Sequence, residues 1–308
     1  GVFLDAAGNP FAGFADATSW NFTAAGSATV LGRYVFYNNS YFDGYSAAAN
    51  AGDDQAIATD KTALLPGQES FVGAGPMPMR HGLTMGEMGR WFIDHFKLDV
   101  PYRVVTMEGW EPEGPGFGWP DSRIWINTSP NAASLNMARA YAGTVMLEGA
   151  TLSEGRGTTR PLEVLFGAPD LDARAVLAEM QRFAPQWLVG CAIRECWFTP
   201  TFHKHAGQLC NALMIHAEGR FYDHHAFRPW RLQALAFKAV RRLYPDYAIW
   251  RDFPYEYEFA RLAIDVINGG PALREWVDDT AAEAGDLERI ATTDEAAWQE
   301  TVRPYLLY

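Results

Sequence analysis

The sequence predicts a mixed α/β protein, and three observations carry that reading. Residues 192–198 and 209–217 read as strands, the first carrying Ile193, Trp197 and Phe198. Residues 172–183 and 228–243 instead repeat apolar side chains at helical spacing. Elements of both types alternate over residues 70–308, and a sheet packed with helices is the simplest architecture that satisfies both. With 308 residues, 48% of them hydrophobic, the chain is long enough for two domains with proper cores.

Taken in order, residues 1–69 are rich in Gly, Ala, Asn, Asp and Ser and form a divergent segment, β-rich or irregular. Residues 30–37 read as a strand, Asn38-Asn39-Ser40 and Asp43-Gly44 as turns, and 47–60 as an exposed loop. The pair Asp53-Asp54 lacks the spaced ligands of a calcium loop and reads as solvated. Thr84 and Glu87 form a capping box that starts a helix running to about Phe96. Its apolar face carries Met88, Trp91, Phe92 and Phe96. Residues 102–107 read as a strand. Residues 111–121 form a Pro/Gly/Trp loop; the nearby Trp110, Phe117, Trp119 and Trp125 either pack beneath it or stack on a sugar ring. A helix starts near Ser134, and residues 143–147 and 163–166 read as strands. Asp172 caps the helix ending at Phe183. Three further helical segments fall near 262–267, 272–284 and 294–303. The apolar tail Pro304-Tyr305-Leu306-Leu307-Tyr308 reads as docked. The divisions are thus 1–69, 70–163 and 164–308.

The formal net charge of −12 excludes a nucleic-acid partner, which needs a basic face for phosphate contacts. An anionic small molecule needs only a local collection of cations. No apolar run reaches the ~18 residues that span a bilayer. Gly1-Val2-Phe3-Leu4-Asp5 lacks the basic n-region of a signal peptide. Cys191, Cys196 and Cys210 are odd in number and read as small buried hydrophobes, not a disulfide framework. Gly155-Arg156-Gly157 lacks the third glycine of a dinucleotide loop, and neither a P-loop nor a G-x-S-x-G elbow is present, so no cofactor is expected. His203 and His205, with Asp223, His224 and His225, offer a metal set, but Lys204 places a cation between the first two; no metal is expected.

The stretch from Leu147 to Glu163 carries the chemistry. Three carboxylates, two guanidiniums and four hydroxyls fall within seventeen residues, separated by three glycines. It has almost no apolar face to bury, so it reads as a polar loop. It is either a solvated network of internal ion pairs or a site. Arg80 and His81 lie just before a helix N-terminus, where an anion is favoured, unless Arg80 simply pairs with a carboxylate. Two carboxylates are the usual apparatus of glycoside hydrolysis. A neighbouring cation hinders the proton-donating form, so the acid should stand apart from Arg156 and Arg160, which makes Glu148 the best local candidate. The arginines can grip a carboxylate on the substrate.

These residues resemble the bacterial exo-β-N-acetylmuramidases of peptidoglycan turnover. The matching pieces are Ser70-Phe71-Val72-Gly73, Arg80-His81-Gly82-x-Thr84-x-Gly86-Glu87, Ser129-Pro130-Asn131, and the run from Glu148-Gly149 through Leu152-Ser153-Glu154-Gly155-Arg156-Gly157-Thr158-Thr159-Arg160-Pro161. Gly167-Ala168-Pro169, Phe202-x-Lys204-His205-Ala206-Gly207 and the closing Tyr305-Leu306-Leu307-Tyr308 complete it. The resemblance runs from about residue 70 to the end. It implies that residues 70–163 are the C-terminal part of a Rossmann-like catalytic domain and 164–308 a C-terminal α/β domain, with the cleft between them. It implies removal of N-acetylmuramic acid from the non-reducing end of wall fragments, in a secreted or periplasmic setting. Glu148 and Glu154 become the acid/base candidates. Arg80, His81, Ser129, Asn131, Arg156, Thr158, Arg160, Lys204 and His205 become the substrate contacts, the arginines facing the lactyl carboxylate. The family's Pro-Glu-His-Gly motif, whose Glu is a prime catalytic candidate, has no counterpart here. That departure implies an alternative: a muropeptide-binding protein with weak or no turnover.

Overall fold

The computed structural model describes residues 35–36, 57–58, 77–110, 119, 123–252, 254–255 and 258–308. The turns expected at 38–44, the pair Asp53-Asp54, the Ser70-Phe71-Val72-Gly73 piece and Phe117 lie outside the described residues. The chain separates into two compact units, Gly1–Gln68 and Glu69–Tyr308. In the first, β1 (Val35–Phe36) pairs antiparallel with β2 (Ile57–Ala58), Val35 opposite Ala58. β1 falls within the expected strand. β2 falls where a loop was expected, its backbone finding β1 as a ladder partner.

The second unit is mixed α/β, as the alternation of elements predicts. Its first helix, α1 (Met85–His95), starts where Thr84 and Glu87 cap one another: the Glu87 N–H donates to Thr84 Oγ1 at 3.4 Å, and the Thr84 N–H to Glu87 Oε2 at 2.7 Å. Trp91 on its inner face meets Trp298 edge-on, with centroids 5.1 Å apart. The C-terminal tail docks on this helix. The Leu307 N–H donates to Glu87 Oε1 at 2.8 Å, and Arg90 Nη1 donates to Tyr305 O at 2.9 Å.

Residues 102–107 are not a strand. No described strand lies beside them to take their N–H and C=O groups, and an isolated strand is not stable. Tyr102 instead lies over Gly89 of α1 and Val104 over Gly86, while Val105 is 84% exposed.

Ser134 caps α2 (Leu135–Thr144), its hydroxyl accepting from the Met137 N–H at 3.0 Å. The strand expected over 143–147 is absent. α2 runs through Thr144 and tightens into a single 3-10 segment, Val145–Gly149. At Gly143 this helix is crossed by the segment that begins at Pro229: a Cβ would sit 2.1 Å from the Pro229 carbonyl oxygen. Tertiary packing thus overrides the β propensity of Thr144 and Val145.

Strands β3 (Val164–Ala168), β4 (Ala192–Phe198) and β5 (Cys210–His216) form one antiparallel sheet in the order β3-β5-β4. α3 (Ala173–Phe183) and α4 (Pro229–Leu243) cover one face. The core between them holds Leu165, Phe166, Leu213, Ile215, Phe237 and Val240, each at most 1% exposed. Each such side chain contributes about 1.5–3 kcal/mol on burial. α5 (Ala263–Asn268), α6 (Ala272–Asp278) and α7 (Ala284–Val302) close the unit. The helix expected over 272–284 stops early because Glu283 and Asp286 form a fresh capping box that starts α7. Arg231 of α4 ties α7 down through Glu288 at 2.8 Å and Glu295 at 2.6 Å. No described helix is long and apolar enough to cross a membrane.

Candidate active site

A cleft of about 650 Å³ opens beside α2. Ala138, Arg139, Tyr141, Ala142 and Val145 line it from that helix and its 3-10 extension, at spacings that share one face. Glu148, at the end of the extension, points into the same space, and Arg80, His81, Tyr222 and Tyr255 complete its polar lining. The size and the mixture of aromatic walls with few polar groups suit a small-molecule site.

Arg80 does not pair with a carboxylate among the described residues, one of the two roles its sequence position allows. Its Nη1 and Nη2 donate to the carbonyls of Phe227 (3.0 Å) and His224 (3.3 Å), and it has no carboxylate partner among the described residues. Arg139 is in the same state. Its Nη1 donates to the Ala217 carbonyl at 2.8 Å, and its guanidinium stacks on Tyr222, 3.9 Å from the ring centroid. Two cations anchored by neutral partners therefore face the cleft, neither with a carboxylate partner among the described residues. His81 Nδ1 accepts the Leu83 N–H at 3.1 Å, which leaves Nε2 to carry the proton of the neutral ring. Burial lowers the pKa of His81 and favours that neutral form.

The run 147–163 is a network of internal ion pairs, as one of the two readings had it, but it is buried, not solvated. Glu154 is 0% exposed. Its Oε1 accepts from Arg156 Nε at 2.9 Å and faces His203 Nδ1 at 3.2 Å; its Oε2 accepts from Lys204 Nζ at 3.0 Å. Lys204 also donates to the carbonyls of Leu147 (2.6 Å) and Leu152 (3.2 Å). Burial drives the pKa of Lys204 down, and the Glu154 charge only partly opposes it. The loop that delivers Lys204 is bent hard: His203 and His205 on either side both have positive φ, 70° and 54°. It packs against Gly157, whose φ is 82° and where a Cβ would lie 2.7 Å from the amides of Thr201 and Phe202. Only glycine meets both demands.

Arg156 bridges from this hub to the cleft, its Nη2 2.5 Å from Glu148 Oε1. Burial works against its charge, but Glu148 and Glu154 outweigh it and the pKa rises. The Tyr255 hydroxyl donates to the other oxygen of Glu148 at 3.3 Å. Glu148 thus does not stand apart from the arginines, contrary to what its sequence position suggests. The chain folds back over a 3-10 turn and brings Arg156 onto it.

The remaining expected residues scatter. Arg160 pairs with buried Glu163 at 3.1 Å and reaches Glu218 at 3.8 Å. With Thr158 it lines a second cavity, not this cleft. Ser129 and Asn131 line neither cavity; the Ser129 carbonyl accepts the Ala132 N–H at 2.9 Å in the turn before α2. His205 Nε2 is buried without a hydrogen-bond partner among the described residues. No group of three or more His, Cys, Asp or Glu side chains is placed to hold a metal among the described residues, and His203 turns to Glu154 instead. Arg139, Tyr141, Tyr222 and Tyr255 escaped the sequence reading. The one signal for Arg139 was its place one turn beyond the Ser134 cap.

Comparisons with known proteins agree with this fold. Residues 56–136 match the family described as exo-beta-N-acetylmuramidase NamZ, N-terminal, and residues 139–308 its C-terminal counterpart. The peptidoglycan beta-N-acetylmuramidase NamZ of Bacillus subtilis (strain 168) is 30% identical over 250 residues. That alignment covers 80% of this chain and 55% of the relative. Two crystal structures of DUF1343 family proteins from Bacteroides fragilis NCTC 9343 superpose with TM-scores of 0.55 and 0.56, at 21% and 20% identity. They are covered over 61% and 59% of their length, against 79% and 78% of this chain. The chain thus spans little more than half the length of the proteins it matches.

Proposed function

The chain belongs to the exo-beta-N-acetylmuramidase NamZ family, and from that premise we propose that its cleft takes N-acetylmuramic acid at the non-reducing end of peptidoglycan fragments and hydrolyses the β-glycosidic bond. The observation that carries this reading is the meeting of Glu148 with Arg80 and Arg139 in one cleft of about 650 Å³. The two arginines bind the lactyl carboxylate, a role the sequence reading gave to Arg156 and Arg160. Both of those are occupied by internal carboxylates. Glu148, paired with a firmly charged Arg156, is the anionic member of a two-carboxylate mechanism and supports the oxocarbenium-like centre. Tyr141, Tyr222 and Tyr255 hold the sugar ring. Glu154 has no exposed atom to offer a substrate and acts by fixing Arg156 and Lys204. The substrate is a small carbohydrate, with no cofactor and no nucleic-acid partner.

A second reading is favoured by one observation: among the described lining residues Glu148 is the one carboxylate. A chain that lacks a second would bind the muramic-acid fragment without cleaving it. A chromogenic β-N-acetylmuramide separates the two. Release of the chromophore, abolished by Glu148→Gln, supports the hydrolase. Calorimetric binding without release leaves the binding protein.

A further inference from the structure

The polar loop that presents Glu148 to the cleft presents its other end to a second cavity, of about 480 Å³. This cavity lies on the face of the sheet opposite α3 and α4. Its floor is a row in register across all three strands, Val164 of β3, Met214 of β5 and Arg194 of β4. Phe198 and Cys196 extend the floor, and Arg160 stands on the loop side. Arg194 is exposed and has no carboxylate partner among the described residues. Its Nε donates to His216 Nε2 at 2.9 Å, its Nη1 to the Glu195 carbonyl at 3.3 Å, and its Nη2 lies 3.1 Å from the Met214 sulfur. His216 Nδ1 in turn faces Glu218 Oε1 at 3.4 Å, so the proton of the neutral ring sits on Nδ1. The Arg194 charge is thus aimed by neutral acceptors over an apolar floor.

Two features select the ligand. The floor has a flexible thioether and a branched aliphatic group, which fit a small alkyl side chain better than the flat face of a sugar. Five consecutive residues of β4, 194–198, line the cavity, and β4 is an edge strand with no described partner on its outer side. Such an edge offers backbone N–H and C=O groups to an extended chain. We infer that this second cavity binds a short acidic peptide, its carboxylate at Arg194 and its alkyl side chain over Val164 and Met214. The ligand class is read from the cavity alone. A peptide carried on the lactyl group of muramic acid turns that carboxylate into an amide, which meets Arg80 and Arg139 through its carbonyl oxygen alone; this source of the peptide rests on the glycosidase reading.

Cys196 supplies the test, because it lines the cavity, while Cys191 does not and serves as internal control. Thiol labelling of the whole chain is followed residue by residue by mass spectrometry, with N-acetyl-alanyl-glutamate, its neutral glutamine analogue, N-acetylmuramic acid and muramoyl dipeptide as probes. The acidic dipeptide should slow labelling of Cys196 and leave Cys191 unchanged, and Arg194→Met should weaken that protection about tenfold or more. Stronger protection by muramoyl dipeptide than by the free dipeptide places the peptide on the sugar; equal protection means a free acidic peptide. Either supports the site. Unchanged labelling of Cys196, equal protection by the neutral analogue or by N-acetylmuramic acid, or full protection in Arg194→Met overturns it. Should that variant fail to fold, the contrast between the acidic and neutral dipeptides in the unaltered chain decides. A chain that turns over no muramide yet shows this protection removes the glycosidase reading alone.

Discussion

Replacing Glu154 by Gln distinguishes a buried structural counter-ion from a catalytic carboxylate. The substitution keeps the shape and removes one charge from a site with no solvent access. Arg156, Lys204 and His203 then lose an anion they meet at 2.9, 3.0 and 3.2 Å. Breaking a buried ion pair from one side costs about 3–5 kcal/mol. The upper end applies here, because one buried carboxylate answers both Arg156 and Lys204. A domain of this size is stable by about 5–15 kcal/mol, so the loss is a third or more of the total. At roughly 2–4 °C per kcal/mol, the melting temperature should fall by about 10–20 °C. Circular dichroism melts and a urea titration with unchanged slope measure it. Glu148→Gln is the control. Its carboxylate is partly exposed and the amide still accepts from Arg156, so stability should change by about 1 kcal/mol or less, while muramide turnover falls by about 10²–10⁴-fold. If Glu154→Gln melts within about 3 °C of the parent but has lost turnover, Glu154 touches the reaction and the assignment of roles is wrong.

Arg139→Met and Arg80→Met should each raise KM for a muramide about 10-fold or more and leave KM for the matching glucosaminide, which lacks the lactyl carboxylate, nearly unchanged; equal effects on both substrates would remove the carboxylate-binding role. Lys238 is 0% exposed, and its Nζ caps the end of α6 by donating to the carbonyls of Trp276 at 2.7 Å and Asp279 at 2.5 Å. Lys238→Met should therefore cost about 2–4 kcal/mol through the orphaned acceptors; an unchanged urea midpoint would show that those carbonyls find other partners. The bond from Arg231 holds Glu288 below its ordinary value of 4.5, and that from Arg182 does the same for Glu179. A lowered folded-state value means stability that is full above 4.5 and drains away as pH falls through the folded-state pKa. Glu288→Gln should thus be less stable than the parent at neutral pH, with the gap closing in acid. A gap that stays constant across urea midpoints taken down that range would refute it.

Much of the α/β architecture was legible in the residues themselves, wherever a local device decides the outcome. Thr84 with Glu87, Ser134 and Asp172 cap helices through contacts three or fewer residues away, so their sequence is enough. Strand β5 and helix α4 were equally plain, since each carries the apolar side chains that build the core. Residues 102–107 and 143–147 misled for a shared reason. Their β propensity is real, but a strand exists only with a neighbour, and here Tyr102 and Val104 found α1 while Gly143 met α4.

The site divides in the same way. Its chemistry, glutamates among arginines between glycines, is written in one stretch of chain, and the family follows from it. Which glutamate faces the cleft is not. Glu148 and Glu154 are six positions apart and nearly alike in their neighbours. A 3-10 turn leaves the first at the cleft mouth, while Lys204, fifty residues on, draws the second out of water. Arg139, Tyr222 and Tyr255 come from three distant segments and carry no motif. The sequence by itself determined which elements form and what chemistry they bear, because capping and periodicity are local. Only the tertiary structure decided which charges cancel and which stay free for a ligand, because that depends on partners that no local pattern names.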